Sequence, residues 1–166
     1  MGKRRMTRRS AGILLWRRTA GSGVEVLLGH MGGPFWAGKD AGAWSVPKGE
    51  HEDTEPALVA AVREFTEELG LPVPVPVERL VALGEVRQAG GKRVEVWAGE
   101  GDLDPSAITP GTFALEWPPR SGRLVEFPEI DRAAWFGLDE ASARIAAGQR
   151  PFLDRLAARL DAPGGA

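Results

Sequence analysis

The sequence predicts a single α/β domain, in which short β-strands alternate with loops and with three helices. Its length of 166 residues is that of one ordinary domain. The composition, 43% hydrophobic and 27% charged, is close to the average of globular proteins and excludes a wholly disordered chain. Short apolar runs bounded by glycine and proline indicate the strands, and one periodic segment, residues 56–69, indicates a helix.

The first elements are two apolar runs, residues 13–16 and 24–28, on either side of the glycine-containing stretch 19–23. This pattern predicts a β-hairpin. Residues 29–42 are rich in glycine, so we predict a loop there, followed by a short strand at 44–46.

The predicted helix at 56–69 has recognisable ends. Thr54 or Glu55 is expected to cap it, Pro56 suits its first turn, and Gly70 ends it. Four bulky apolar residues recur at helical spacing and predict a stripe that faces the core. They are Leu58, Val62, Phe65 and Leu69.

The second half of the chain predicts strands first and then helices. The expected strands are 80–86 and 94–97, paired as a hairpin across 88–91, then 113–117 and 135–136. The expected helices are 139–147 and 152–160.

Charge and cysteine content exclude several classes of protein. The formal net charge of −2 argues against nucleic-acid binding through bulk charge. The chain has no cysteine, which excludes disulfide scaffolds, cysteine zinc sites and thiol nucleophiles. A cysteine-free chain suits a reducing compartment, so we expect a cytoplasmic location. No run approaches the ~20 apolar residues of a membrane span, so we expect no membrane partner.

We predict that residues 10–161 form the domain, between a basic flexible tail at 1–9 and a flexible tail at 162–166. The basic tail admits a role in RNA-end processing, although solvated tails of this kind are common. Its cationic residues are Lys3, Arg4, Arg5, Arg8 and Arg9.

Three acidic residues of the predicted helix, Glu64, Glu67 and Glu68, have the i, i+3, i+4 spacing that brings side chains together. Like charges so placed repel one another, and Arg63 alone does not neutralise all three. A divalent cation would turn the repulsion into ligation, and carboxylate oxygens suit Mg²⁺, with Mn²⁺ as a substitute. The simpler alternative is a solvated helix face.

The surrounding sequence favours metal ligation over a solvated helix face. After Gly49 come five residues and Glu55, then seven residues and Arg63-Glu64-Phe65, then Thr66, Glu67-Glu68, Leu69 and Gly70-Leu71. This 23-residue stretch resembles the Nudix box at every defining position. Phe65 stands where the family more often has an aliphatic residue.

The resemblance implies an α/β/α sandwich around a mixed sheet, with the box as a loop–helix–loop. It implies that Glu64, Glu67 and Glu68 hold the catalytic cations, with help from the Gly49 carbonyl. By the same resemblance Glu55 supports the metal site and Arg63 orients the acids, so both count among the catalytic group with Glu67 and Glu68.

Many family members add an acid from a late loop. Glu129 is the candidate, because it precedes the predicted strand at 135–136 at a familiar distance. Glu126 and Glu116 are the alternatives.

Two features bear on the substrate. The run Trp-Ser-Val-Pro-Lys-Gly at 44–49 resembles that of the diadenosine tetraphosphate hydrolases of the family, and Lys48 in it suits a polyphosphate chain. A nucleobase needs a flat stacking partner. We predict Phe35 and Trp36 of the glycine-rich loop, with Trp44, as substrate-binding residues, and Trp97 and Trp117 as further candidates.

The resemblance therefore implies a divalent-metal-dependent hydrolase of phosphoanhydride bonds in nucleoside diphosphate-linked compounds. Dinucleoside polyphosphates are the favoured substrates, and the small-molecule nucleotide is the expected partner, with a homodimer allowed. The alternatives are a sanitising nucleoside triphosphate pyrophosphohydrolase and a non-catalytic nucleotide-binding regulator. An isomerase of isoprenoid diphosphates is disfavoured because its usual cysteine is missing.

Overall fold

A seven-stranded mixed sheet forms the centre of the computed structural model, which describes residues 8–21 and 23–161. The strands are Arg9–Arg18 (β1), Val24–Met31 (β2), Trp44–Ser45 (β3), Lys48–His51 (β4), Val81–Arg87 (β5), Arg93–Glu100 (β6), Thr112–Glu116 (β7), Leu124–Pro128 (β8) and Ile130–Gly137 (β9). The helices are Ala57–Leu69 (α1), Leu138–Arg144 (α2) and Arg150–Asp161 (α3). Strands β7 and β8 form a separate two-stranded sheet.

Strand β1 organises the main sheet because three strands, β2, β4 and β6, pair with it directly. It is parallel to β6 along its length, and β6 is antiparallel to β5. On its other edge the second half of β1 pairs with β2, whereas residues 9–12 pair with β4. Strand β2 in turn carries β3 and β9. The divergence of β2 from β1 thus makes room for β4, which brings Lys48 and Gly49 onto the sheet.

Alternation along β1 divides the interior into two cores on opposite faces of the sheet. Ile13 and Leu15 pack in the core that α1 covers, which we call the lower core. Leu14 packs in the upper core, which α2 and α3 cover. Helices on both faces of a mixed sheet confirm the predicted α/β/α sandwich.

The predicted helix is confirmed, but its predicted cap is wrong. Helix α1 begins after Pro56 with no side-chain cap, and it ends at Gly70, whose left-handed φ of 70° suits glycine. Neither Thr54 nor Glu55 caps the helix, since the Glu55 carboxylate is engaged by Arg63.

The strands are longer and more numerous than the apolar runs predicted. Residues 29–31 belong to β2 and not to the predicted loop, and residues 135–136 belong to an eight-residue strand, β9. Strands β4 and β8 were not predicted. Strand β4 consists of polar residues and glycine, and β8 contains a glutamate and a proline, so neither shows the apolar alternation of a typical strand. Arg9 begins β1, so the predicted tail shares that residue with the sheet. Residues 1–7 and 162–166 of the predicted tails lie outside the described residues.

The helices of the described ranges are all too short or too polar to cross a membrane.

A buried amide connects α3 to the segment that leads into β4. Gln149 is only 1% exposed, and its Oε1 accepts a hydrogen bond of 3.0 Å from the Val46 backbone nitrogen. Its Nε2 donates to Ser45 Oγ at 3.0 Å. Buried polar groups of this kind are costly to leave unpaired, so Gln149 holds the approach to Lys48 in one conformation.

We expect Gln149→Ala to lower the free energy of unfolding by about 1–3 kcal/mol, because the buried Val46 amide loses its acceptor. Urea denaturation of both proteins measures the change. Arg159→Ala on the exposed side of α3 is the control and should stay within about 0.5 kcal/mol of wild type. Equal stability of the two variants would contradict the assigned role of Gln149.

Candidate active site

Arg63 is the centre of a branched set of ion pairs on α1. It binds Glu55 in bidentate fashion, with Nη2–Oε1 at 2.7 Å and Nε–Oε2 at 2.9 Å. Its Nη1 also donates to Glu64 at 2.8 Å and to Glu67 at 3.1 Å. The hydrogen bonds from Arg63 lower the pKa of Glu55, and those with Glu55 raise the pKa of Arg63. The loop before α1 is thereby fixed to two acids of the helix.

The Glu64 carboxylate lies directly against the backbone of Gly49. A Cβ atom at Gly49 would overlap that carboxylate, so any other residue at this position would displace the Glu64 side chain. Glu64 is half-buried, and burial raises its pKa even though the ion pair with Arg63 opposes the shift. Gly49 and Glu64, fifteen positions apart in the chain, thus form one unit.

Glu68 is held by the backbone of β4 at the residue before Gly49. Its Oε2 accepts a hydrogen bond of 3.0 Å from the Lys48 backbone nitrogen. Burial raises the pKa of Glu68 to about 8, and the charges of Glu129 and Glu64 act in the same direction. The site therefore stores electrostatic repulsion between carboxylates that a bound cation would relieve.

Glu129 is the late acid that the structure brings to Glu64 and Glu68, since its charge raises the pKa of both. Its backbone is fixed on both sides: its nitrogen donates to the Gly111 carbonyl, and its carbonyl accepts from the Gly32 nitrogen, both at 2.9 Å. The alternative Glu116 bonds the Gly122 nitrogen in the β7–β8 turn. Glu126 contributes to neither of the two raised pKa values.

The donor set fits a hard divalent cation by its chemistry. Within residues 8–21 and 23–161, no three acidic or histidine side chains stand around one point that could hold an ion. The reason is that Arg63 engages Glu64 and Glu67, while the Lys48 amide engages Glu68. Carboxylate oxygens that repel one another are nonetheless suited to a hard divalent cation, which would compete with the guanidinium for Glu64 and Glu67.

Two lysines meet at the edge of this acidic group. Lys48 is half-buried, and burial together with the neighbouring Lys92 ammonium lowers its pKa to about 8. Lys92 lies between β5 and β6, with its Nζ 3.8 Å from Glu50 Oε1. Sequence analysis missed Lys92, because only the pairing of β1 with both β4 and β6 brings it near Lys48.

The three aromatic residues predicted to bind substrate lie in different environments. Phe35 is 59% exposed, whereas Trp36 is half-buried against the upper core with the Lys39 ammonium 5.3 Å from its ring centroid. Trp44 is only 3% exposed and packs edge-on against Phe136 at 4.8 Å. The core covers its ring, and its role as a base-stacking residue stays a prediction.

A model of the NUDIX domain matches residues 6–156, which is most of the chain. The chain belongs to the Nudix family. It is accordingly a pyrophosphohydrolase that acts on phosphorus-containing acid anhydrides. No curated protein matches this Nudix chain significantly.

Solved structures resemble this Nudix protein over most of its length. A Caenorhabditis elegans Ap4A hydrolase in a binary complex is 23% identical over 93% of this chain and 98% of its own, with a TM-score of 0.62. The NUDIX domain of Shewanella oneidensis NrtR, complexed with ADP ribose, is 15% identical over 94% and 90%, with a TM-score of 0.63. A Nudix hydrolase from M. smegmatis, RenU, is 24% identical over 89% and 82%, with a TM-score of 0.53. At such identities the likeness shows the shared fold.

We expect Gly49→Ala to lower the hydrolytic rate of this Nudix enzyme by roughly 10–100-fold, because the new methyl group would push Glu64 away from Arg63. Gly38→Ala is the matched control, since a Cβ atom at Gly38 meets only open space. Turnover and thermal unfolding of both variants are compared with wild type. A Gly49→Ala enzyme with the rate of the control would contradict the close packing of Gly49 on Glu64.

Proposed function

We propose that the protein is a divalent-metal-dependent hydrolase of phosphoanhydride bonds in nucleoside diphosphate-linked compounds, with dinucleoside polyphosphates as its substrates. One observation carries the proposal: the acidic group around Glu64 and Glu68 directly adjoins the lysine pair Lys48 and Lys92. Acids that attract a cation, beside ammonium groups that attract phosphate, form a surface suited to a metal-bound polyphosphate.

We propose Mg²⁺ as the cation, with Mn²⁺ as a substitute. The residues that would hold it are Glu64, Glu67 and Glu68 of α1, with the Gly49 carbonyl and Glu129. When bound, the cation supplies charge neutralisation on the phosphate oxygens. Arg63 is the positioning residue: through its bonds to Glu64 and Glu67 it keeps the acids oriented before a cation arrives.

The chain's own part in the reaction is to align and deprotonate a water. The oxygen of that water forms a bond to one phosphorus, the bond from that phosphorus to the bridging oxygen breaks, and the bridging oxygen leaves with the departing phosphate. We propose that Glu67 or Glu68 accepts the proton. Burial makes Glu68 a stronger base than an ordinary glutamate, while Glu67 is more exposed to solvent.

The lysine pair supports a substrate with several consecutive phosphates. Two ammonium groups that repel each other gain more from a phosphate chain than either gains from a single surface anion. The likeness to an Ap4A hydrolase, at 23% identity over 93% of the chain, supports dinucleoside polyphosphates. Nucleoside triphosphates offer the same phosphate chemistry and are the alternative substrates. The likeness to a NUDIX domain complexed with ADP ribose supports a nucleoside diphosphate-linked ligand.

We also propose a cytoplasmic location, because a chain without cysteine suits a reducing compartment.

We expect Glu67→Gln and Glu68→Gln, made separately, to show which acid takes the proton. Loss of the base should reduce kcat by about 10²–10⁴-fold, because an amide does not accept the proton. Chromatography of the nucleotides formed from diadenosine tetraphosphate with Mg²⁺ present, either AMP with ATP or two ADP, measures the rate. Glu78→Gln, at an exposed position outside α1, is the control. Near-wild-type rates in both variants would remove the assignment.

We expect Lys48→Ala and Lys92→Ala to raise KM with little change in kcat, since each removes a charge that contacts the phosphate chain in the ground state as well as the transition state. The increase should be larger for diadenosine tetraphosphate than for ADP ribose, which has fewer phosphates. Arg159→Ala is the charge-matched control. An equal effect on both substrates would contradict recognition of a longer phosphate chain.

A further inference from the structure

The β7–β8 hairpin has an apolar face that belongs to neither core. Cross-strand partners Phe113 and Phe127 have ring centroids 6.2 Å apart, and Leu115 is opposite Val125. Alternation places Trp117 on the same face as Phe113 and Leu115. Residues of this face, which we call the aromatic face, are absent from both core clusters and remain partly exposed.

The opposite face of the hairpin is different. It carries Glu116, Glu126 and Ala114, all exposed, with Leu124 at 77% exposure. The aromatic face meets the loop after β2, where the Gly33 backbone lies close to the Phe113 ring. Three partly exposed aromatic rings on one side of a separate hairpin therefore indicate a binding surface.

The aromatic face is continuous with the active site. Strand β8 ends at Pro128, and the next residue is Glu129, whose backbone bonds Gly111 at the start of the hairpin and Gly32 at the start of the loop. Phe127 is two residues from Glu129, which is about 7 Å along a strand. A ligand with phosphates near Glu129 therefore has the aromatic face within its reach.

Phe35 and Trp117 form a corner at the outer end of this face. Their ring centroids are 5.4 Å apart with an interplanar angle of 83°. Phe35 is 59% exposed, so its ring is open to solvent on the side away from Trp117. Two perpendicular rings offer a planar ligand both a stacking surface and an edge-to-face contact.

We propose that the aromatic face of β7–β8, together with Phe35, binds a nucleobase of the substrate. The inference rests on the proposed function, because it takes the phosphates to lie beside Glu129 and Lys48. It adds a specificity-determining site: Trp117 and Phe35 distinguish a nucleotide from a polyphosphate that lacks a base. A nucleobase suits this corner better than a protein partner, because the rings of the aromatic face extend from the neighbourhood of Glu129 to the corner.

The test measures dissociation constants of ATP and of inorganic tripolyphosphate by calorimetry in the presence of Mg²⁺, for wild type, Phe35→Ala and Trp117→Ala. Stacking on an aromatic ring contributes enough that each variant should weaken ATP binding by about tenfold. Tripolyphosphate, which has no base, should bind all three proteins equally. Trp117→Phe should recover most of the ATP affinity. Leu124→Ala, on the opposite face of the same hairpin, is the matched control and should bind both ligands like wild type.

Three results would overturn the inference. ATP affinity that is unchanged in both alanine variants would show that the base lies elsewhere. Equal weakening of ATP and tripolyphosphate would show that the hairpin only supports the phosphate site. A wild-type dimer in sedimentation that both variants lose, without a change in ATP affinity, would show that a second copy of the chain covers the face. Because the readout is binding, a wild-type protein that fails to hydrolyse any nucleotide would contradict the proposed function and leave this test decisive.

Discussion

The structure of the site depends on Arg63, which holds together acids that would otherwise repel one another. Isolated surface ion pairs contribute little, but a bidentate pair with branches to two further carboxylates fixes geometry as well as charge. Its contacts with Glu55, Glu64 and Glu67 join the loop before α1 to the helix itself. A cation that takes Glu64 and Glu67 must compete with the guanidinium for the same oxygens. Arg63 therefore neutralises these two carboxylates as long as no cation is bound to them.

The second constraint is the sharing of β1 between several partners. Because β4 occupies the edge of β1 that β2 leaves free, the backbone of Lys48 and Gly49 lies within reach of α1. Because β6 is parallel to β1 on the opposite edge, Lys92 just before β6 lies near Lys48. The lysine pair and the acidic group thus arise from one strand with different neighbours at its two halves. Neither group is built by α1 alone.

Features that depend on long-range strand pairing could not be predicted from the sequence, whereas features within one helix could. Helix α1 and the neighbourhood of Glu64, Glu67 and Glu68 follow from spacing within one helix, and both were predicted. The role of Lys92 was not, because it requires a parallel pairing of strands about eighty residues apart. The burial of Trp44 could not be predicted for a similar reason: its ring packs against Phe136, which the pairing of distant strands brings to it.

The loop that carries Phe35 is fixed at its far end, which gives the exposure of that ring a physical meaning. Buried His30 donates from Nε2 to the Lys39 carbonyl at 2.7 Å, and its Nδ1 is 2.9 Å from Asp131. Asp40 accepts bonds from Trp44 Nε1 at 2.8 Å and from Arg144 at 2.6 Å. Because the loop is anchored in this way, the exposed position of the Phe35 ring is fixed by its surroundings. A ligand that binds to a ring already held in place loses less conformational entropy than one that must order a mobile loop.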